Sequence, residues 1–155
     1  DARTAQFPEP FDVVMAAYLL NYARTAEGLL SMYQAIARNL KPGGRFVTVN
    51  DNPLQRPESF QFTRKYGFVK EACGEIRNGT PLRYTIYLEN ETFQFDNYHL
   101  DIATHERALR EAGLDGATWH SLSLAPAEAG GPNREYWDDF FADPSVIMLE
   151  CHKPL

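Results

Sequence analysis

The chain has 155 residues, a length typical of one domain with its own hydrophobic core. Its net charge of -6, from 15 basic and 21 acidic residues with no run of Lys and Arg, argues against nucleic acid and against an anionic membrane surface as partners. The 44% hydrophobic and 13% aromatic content argues against a disordered chain, and no apolar run approaches the roughly 20 residues that span a bilayer.

The first predicted elements are a strand, a helix and a second strand. After a proline-rich loop over 1–10, the apolar run 11-FDVVMAAYLL-20 predicts a strand buried on both faces, as in a parallel sheet covered by helices. Thr25 is the expected N-cap of a helix whose apolar residues recur at helical spacing. Gly43 and Gly44 are expected to end this helix, and RFVTV then forms the next strand.

This order of elements predicts where a ligand binds. A strand, a helix and a strand in close succession predict a right-handed βαβ unit. In an open parallel sheet, ligands bind beyond the carboxyl ends of the strands. These ends fall at 16–22 after the first strand and at Asn50, Asp51 and Asn52 after the second. The sequence therefore predicts a polar and aromatic ligand site at this edge of the sheet.

The middle of the chain departs from the α/β pattern. Residues 53–81 read as irregular, apart from a helix expected near 58–66. The stretches 82–88 and 92–98 alternate apolar and polar residues and predict a β-hairpin. Because this hairpin interrupts the α/β pattern, we expect it to form an inserted lid.

The remaining sequence predicts a return to helices and strands. Thr104 is the expected cap of a helix that ends at Gly113. The elements expected after it are, in order, a strand over 117–124, a Gly- and Pro-rich loop over 125–134, a short helix around 135–141 and a final strand over 145–153.

Cysteine and histidine usage predicts neither a disulfide nor a metal site. Cys73 and Cys151 are far apart in sequence and fit no metal pattern, so we expect two free thiols in a reducing, cytoplasmic compartment. The four histidines show no HxH or HxxxH spacing, and we expect no zinc. The polar N-terminus is unlike a signal peptide.

Two stretches together resemble a known family. The run FDVVMAAYLLNYA, followed by a helix and then by LKPGGRFVTV, resembles the second half of class I S-adenosylmethionine-dependent methyltransferases. The order of the later helix and strands is similar to the last elements of that family. The stretches NDNP, TRKYGF and DNYHLDIATHERALREAG are similar to toxoflavin-type small-molecule methyltransferases. The resemblance implies an α/β, Rossmann-like methyltransferase sheet over 1–155, with 54–100 as a substrate-side insertion.

The sequence also departs from that family. The glycine-rich cofactor loop after the family's first strand has no counterpart, because none of the ten glycines forms a G-x-G. The acidic residue that binds the ribose after the family's second strand is also without a counterpart. We therefore expect the family's first three strands to lie outside this sequence. The expected partners are this N-terminal part or a second copy of the chain, besides a small-molecule substrate.

The resemblance implies S-adenosylmethionine as the cofactor and assigns residues to it. Asp1 and Ala2 stand where the family places its adenine contacts, a carboxylate that accepts from the amino group and a backbone N–H that meets the ring. Ala16, Ala17 and Tyr18 correspond to the segment along the methionine part of the cofactor. The alternative for Tyr18 is a core aromatic residue.

The strand ends also supply candidates for substrate binding and catalysis. Asn21 and Tyr22 can face the cofactor or the substrate, or they can simply begin the helix. Asn50 and Asp51 leave the second strand on the ligand side, where Asn50 can bind the substrate and Asp51 can act as a base. Asn and Asp are also common turn formers, which is the structural alternative.

Three further candidates lie near the predicted lid. His99 follows the hairpin, and histidine is the natural general base near neutral pH. Tyr66 and Tyr98 are expected to contact an aromatic substrate. A structural role is the alternative for each of the three.

These predictions favour methylation, on nitrogen or oxygen, of a small heteroaromatic or polar molecule. One rival is a nucleotide-cofactor oxidoreductase, which should carry a catalytic Tyr-x-x-x-Lys or comparable pair, and we expect no such pair in this sequence. A second rival is a non-catalytic binding or dimerisation module of Rossmann-like fold, since missing strands would leave an edge that soluble proteins normally cover.

Overall fold

The computed structural model describes residues 1–125 and 134–155, so the loop predicted over 125–134 lies almost wholly outside the described residues. The strands are β1 (Phe11–Ala17), β2 (Leu40–Asp51), β3 (Phe68–Ala72), β4 (Pro81–Tyr87), β5 (Thr92–Tyr98), β6 (Asp115–His120) and β7 (Val146–His152). The α-helices are α1 (Ala26–Arg38), α2 (Ile102–Glu111) and α3 (Arg134–Ala142). Short 3-10 helices occupy Ala2–Thr4, Leu20–Tyr22, Pro57–Ser59 and Phe62–Tyr66.

The main sheet has the strand order β1-β2-β7-β6. β1 and β2 are parallel, whereas β7 is antiparallel to both β2 and β6. Ala17 lies opposite Val49 across the first pair, and Asp51 lies opposite Val146 across the second. The carboxyl ends of β1 and β2 and the start of β7 therefore meet at one edge, which confirms the predicted α/β fold.

The core lies between the main sheet and helices α1 and α2. Helix α1 begins as predicted, because the Thr25 hydroxyl accepts a hydrogen bond from the Gly28 N–H at 3.2 Å. Tyr33 on α1 and Phe46 on β2 are fully buried, with ring centroids 6.2 Å apart. Burial of side chains of this size contributes about 1.5–3 kcal/mol each to folding. No described helix is long and apolar enough to cross a membrane.

The prediction that the first strand is buried on both faces is wrong. β1 is an edge strand, and only Val14 and Ala16 pack into the core on the α1 side. Phe11, Val13 and Met15 point to the other face, where their exposed fractions are 43%, 50% and 76%. The residues of this continuous apolar run thus alternate between a buried face and an exposed face of the strand.

The prediction that Gly43 and Gly44 end the first helix is also wrong. Helix α1 ends at Arg38, and the Asn39 amide donates to the Ala35 carbonyl oxygen at 2.8 Å. Both glycines lie inside β2, where Gly43 has a φ of 73° and the pairing with β1 shifts register. The glycines therefore accommodate an irregularity in the strand.

A second sheet has the strand order β3-β4-β5 and is antiparallel throughout. The predicted hairpin is confirmed as β4 and β5, with Tyr84 opposite Phe95 and Ile86 opposite Phe93. Residues directly opposite one another share a face, so these rings form one apolar surface. Sequence reasoning missed β3, and the helix expected near 58–66 occurs as two 3-10 helices.

The predicted N-cap of the second helix is wrong, because the helix begins about one turn earlier in the chain. Helix α2 starts at Ile102, and its N-cap is Asp101 rather than Thr104. The Asp101 carboxylate accepts from the Thr104 N–H at 2.7 Å. Both residue types cap helices well, so the sequence pattern alone did not separate them.

Candidate functional site

The chain turns sharply where β1 ends. Tyr18 has a φ of 54°, and among the described residues it is the one non-glycine residue with a positive φ. This conformation costs on the order of 1–3 kcal/mol and tends to persist at functional sites. The Tyr18 N–H donates to the Val49 carbonyl oxygen at 2.8 Å, which fixes the turn against β2. Its ring remains half exposed at the predicted ligand edge.

A cavity of about 320 Å³ separates this edge from the second sheet, and we call it the aromatic cavity. Tyr18 and Tyr22 line it from the main-sheet side. The second sheet supplies the opposite wall with Phe68, Tyr84, Ile86 and Phe95. The rings of Tyr84 and Phe95 are stacked 5.3 Å apart at an angle of 7°. The second sheet thus faces the strand ends with an aromatic wall.

Two buried polar side chains in this cavity wall have an atom without a hydrogen-bond partner. Asn97 is 4% exposed and Ser145 is 1% exposed, and neither Asn97 Oδ1 nor Ser145 Oγ is hydrogen-bonded. Buried polar atoms are nearly always paired, so such exceptions call for an explanation. Sequence reasoning missed both residues. The alternation of β5, which places Asn97 on the face of Phe93 and Phe95, was the available signal for the first.

An ion pair lies beside the aromatic wall, on the same face of the second sheet, because Lys70 stands directly opposite Tyr84. Asp51 Oδ1 accepts from Lys70 Nζ at 2.5 Å and also from the Tyr84 hydroxyl. Lys70 is 1% exposed, and its ammonium group lies 4.4 Å from the centre of the Phe60 ring. Burial and the nearby Asp51 carboxylate raise the pKa of Tyr84 well above its ordinary value. Tyr84 therefore stays protonated, and its hydroxyl donates a hydrogen bond to Asp51.

The amides at the strand ends hold the backbone of the site. Asn21 Oδ1 accepts from the Asp51 N–H at 3.2 Å, and Asn50 Nδ2 donates to Thr48 Oγ1 at 2.9 Å. Both amides are buried, and each keeps one polar atom, Asn21 Nδ2 and Asn50 Oδ1, without a partner. The structure thus places these two predicted residues next to Asp51.

His99 lies near this ion pair. It lines a cavity of about 300 Å³, which we call the rear cavity, together with Asp51, Lys70 and Phe60. Burial lowers the pKa of His99, and the Asp51 and Asp101 carboxylates oppose that shift only in part. The imidazole is therefore neutral near pH 7 and can accept a proton.

The two predicted tyrosines occupy different surroundings. Tyr98 lies beneath the Arg24 guanidinium, which is 5.1 Å from its ring centre, and it does not line the aromatic cavity. Tyr66 instead packs on α3, where its hydroxyl donates to the Tyr136 carbonyl oxygen at 2.6 Å and its ring stacks on Trp137 at 4.9 Å. The structure does not bring Tyr66 to the aromatic cavity.

Tyr66 and Lys70 do stand at the Tyr-x-x-x-Lys spacing, contrary to our expectation that no such pair occurs. Their polar groups have separate partners, since the Tyr66 hydroxyl binds α3 and the Lys70 ammonium binds Asp51. This arrangement does not resemble a pair that acts on one substrate.

The predicted cofactor residues border two further cavities. Asp1 and Ala2 line one of about 530 Å³, the Asp1 cavity, whose wall also includes Tyr22 and Gly28. Ala16 lines a neighbouring cavity of about 310 Å³ that shares Ala2 with the first. Because Tyr22 also lines the aromatic cavity, it forms a wall common to both compartments.

The Asp1 cavity is compatible with an adenosine-containing cofactor. The Asp1 carboxylate caps the first 3-10 helix by accepting from the Arg3 N–H at 3.0 Å, and it also pairs with the Arg3 guanidinium. A carboxylate has about four acceptor positions, and the Asp1 oxygens already take four contacts from Arg3, so an adenine amino group would have to replace one of them. The small side chains of Ala2 and Gly28 leave room for a ring system, and Ala17 is exposed at the end of β1.

The described part of the chain offers neither a metal-ligand cluster nor a disulfide. Within residues 1–125 and 134–155, no group of three His, Cys, Asp or Glu side chains is placed to hold a metal ion. Cys73 and Cys151 are both free thiols. Burial raises the pKa of Cys151 to about 12, so that thiol is not a nucleophile near neutral pH.

No protein-family model and no curated protein sequence matches the chain. An S-adenosylmethionine-dependent methyltransferase from Clostridium acetobutylicum matches 100% of this chain at 11% identity with a TM-score of 0.55, and the match spans 63% of that protein. A second, from Mesorhizobium loti, matches 99% at 15% identity and a TM-score of 0.63, over 67% of its length. An amino pentose methyltransferase of calicheamicin biosynthesis from Micromonospora echinaspora, solved with its cofactor bound, matches 99% at 15% identity and a TM-score of 0.52, over 62% of its length. The chain therefore has the α/β fold of S-adenosylmethionine-dependent methyltransferases.

Proposed function

We propose that the protein transfers a methyl group from S-adenosylmethionine to nitrogen or oxygen of a small heteroaromatic or polar molecule, as a small-molecule methyltransferase similar to the toxoflavin type. The observation that carries this proposal is the junction of two cavities at Tyr22, one lined by the predicted adenine contacts Asp1 and Ala2 and one lined by aromatic rings. Residues 54–100, which include the second sheet, form the substrate-side insertion in this proposal.

The cofactor residues are Asp1, Ala2, Ala16, Ala17 and Tyr18. S-adenosylmethionine supplies an electrophilic methyl group on a positively charged sulfur. Asp1 accepts from the adenine amino group, and the Ala2 N–H meets the ring. The half-exposed ring of Tyr18 offers an aromatic surface to the positive charge.

The substrate occupies the aromatic cavity, which Tyr22 lines directly. The other predicted substrate residues act from outside its wall: Asn21 binds the Asp51 backbone, Asn50 binds Thr48, and Tyr98 packs against Arg24. Tyr66 was predicted for this role as well. Because it packs against α3, we assign it to supporting the insertion instead. Fixing a nucleophile close to the methyl group lowers the barrier to transfer without covalent help from the protein. The chain's main contribution is therefore positioning.

A proton leaves the acceptor if it carries one, and the site offers a route for it. The acceptor gives its proton to the Tyr84 oxygen while Tyr84 gives its own to Asp51, to which it is already hydrogen-bonded. His99 shares the rear cavity with Asp51 and takes up the proton on its neutral imidazole. Replacing Tyr84 by Phe or His99 by Gln should lower kcat with little effect on KM for the cofactor. Unchanged turnover in both variants would refute this route.

Equilibrium binding of labelled S-adenosylmethionine to the full-length protein tests the proposal. The Asp1→Ala variant should bind about 10- to 150-fold more weakly, because a hydrogen bond to a charged group contributes about 1.5–3 kcal/mol. Asp12→Ala is the matched control, since Asp12 is an 82% exposed carboxylate paired with Lys41 at the opposite end of β1. No binding by the unmodified protein would overturn the proposal, and unchanged binding by Asp1→Ala would remove Asp1 from the site.

A second candidate function is a non-catalytic module of the same fold. The exposure of Val13 and Met15 on the uncovered face of β1 favours it, since large apolar surfaces often mark interfaces. The partner in that case is the N-terminal part of a longer chain or a second copy of this one. Self-association without any binding of labelled S-adenosylmethionine would favour this module.

A further inference from the structure

We infer that the aromatic cavity selects an uncharged ring compound that presents an N–H or O–H donor, and that Asn97 and Ser145 receive this donor. This inference rests on the proposed function, because it takes the cavity to be the substrate compartment. Asn97 Oδ1 is an acceptor by chemistry, and the Ser145 hydroxyl can either accept or donate. Both atoms are buried in the cavity wall without a partner among the described residues.

The lining of the cavity argues against a charged ligand. The described residues that line it include no Asp, Glu, Lys, Arg or His side chain. The charges of Asp51 and Lys70 lie beside Tyr84 on the same face of the second sheet, and they are paired with one another at 2.5 Å. An ion that enters an apolar compartment loses its hydration and finds no counter-charge there, which strongly disfavours its binding.

The size and the walls of the cavity favour a ring. Its volume of about 320 Å³ is at the small end of ligand pockets. Aromatic residues line it from both sides, Tyr18 and Tyr22 opposite Phe68, Tyr84 and Phe95. A compact ring fills such a space with apolar contacts, while its edge can reach the two polar atoms.

The two unpaired atoms also imply a cost to stability that a ligand removes. A buried polar atom without a partner destabilises the folded chain, and proteins keep such atoms where function requires them. Asn97→Leu and Ser145→Ala should therefore raise Tm, each by about 2–4 °C, while they weaken binding about tenfold. A purely structural role for either side chain predicts a fall in Tm instead.

A matched series of probes tests the inference on the full-length protein by ligand-observed NMR at millimolar concentrations. Benzamide is an uncharged ring with N–H donors, benzoate is its anionic counterpart, benzamidine is its cationic counterpart, and methyl benzoate is uncharged without a donor. Benzamide should bind at least about tenfold more tightly than the other three.

Gln55→Met is the matched control variant. Gln55 Oε1 is also buried without a partner, but Gln55 lines the rear cavity rather than the aromatic one. This variant should raise Tm without changing the affinity for benzamide. Asn97→Leu and Ser145→Ala should both raise Tm and weaken benzamide binding.

The outcomes separate this inference from the proposed function. Equal binding of benzamide and benzoate, no binding of benzamide, or full affinity in both cavity variants would overturn the inference. If labelled S-adenosylmethionine still bound in those cases, the proposed function would stand. Selective binding of benzamide by a protein that does not bind S-adenosylmethionine would uphold the inference about the cavity and overturn the proposed function.

Discussion

The buried ion pair between Asp51 and Lys70 allows a strong prediction about stability. Lys70→Met keeps the length and apolar stem of the side chain but removes the ammonium group. Lys70 is 1% exposed and the Asp51 side chain is 10% exposed, so the variant leaves a carboxylate almost out of water. Only the Tyr84 hydroxyl remains as a partner for Asp51 Oδ1 among the contacts described above.

The expected loss follows from this geometry. Removing one partner of a buried ion pair costs about 3–5 kcal/mol, because the remaining charge stays desolvated. A domain of this size has a total stability of about 5–15 kcal/mol, so Lys70→Met should lose a large part of it. Adding Asp51→Asn should recover more than half of the loss, since an uncharged amide oxygen still accepts from Tyr84.

Urea unfolding at pH 7, followed by tryptophan fluorescence, measures these free energies. Lys65→Met is the matched control, because Lys65 pairs with Asp139 at 2.7 Å on the surface and the same substitution there should change little. A loss below about 1 kcal/mol for Lys70→Met, or a double variant as unstable as the single one, would refute the reasoning.

Two further predictions concern pH and glycine. Burial lowers the pKa of His105 from 6.5 to about 4, so between these values the unfolded chain binds a proton there that the folded chain does not. The free energy of unfolding should therefore fall by roughly 3 kcal/mol from pH 7 to pH 4. Urea unfolding at a series of pH values should show this fall reduced by His105→Gln but not by His152→Gln at an exposed site. An equal slope in the His105 variant would contradict this. Gly44→Ala should lose about 1–3 kcal/mol because its Cβ would lie 2.8 Å from the Lys41 carbonyl oxygen, whereas Gly28→Ala in α1 should gain about 0.5–1 kcal/mol. Equal effects of the two substitutions in thermal unfolding would contradict this second prediction.

Elements set by local patterns were predictable from the sequence. The Thr25 cap and the helical spacing after it identified α1, and the alternation on both sides of 89–91 identified the hairpin. Asn39 shows the limit of this reasoning. Its side chain closes α1 before the glycines are reached, and glycine at a helix end and glycine in a strand irregularity look alike in sequence.

Features that depend on distant partners were not predictable. β3 was missed because Lys70 reads as a solvent-facing residue, and only Asp51, 19 positions earlier, explains its burial. The edge position of β1 could not be read from its apolar run, since Val13 and Met15 have the composition of buried residues.

The edge of the sheet that carries the candidate site was easier to predict than the side chains that surround it. The strand-end rule placed Tyr18 and Asp51 at one edge of the sheet. The contribution of Ser145 depends on β7 returning antiparallel to β2, and Tyr66 packs on a helix about 70 residues later in sequence, which the local pattern around it does not indicate.

The most direct test is a crystal structure of the full-length protein with S-adenosylhomocysteine. The proposed function predicts the adenine in the Asp1 cavity and the sulfur beside Tyr18, facing the aromatic cavity. Density for the ligand at any other place, or an aromatic cavity closed off from the sulfur, would contradict it.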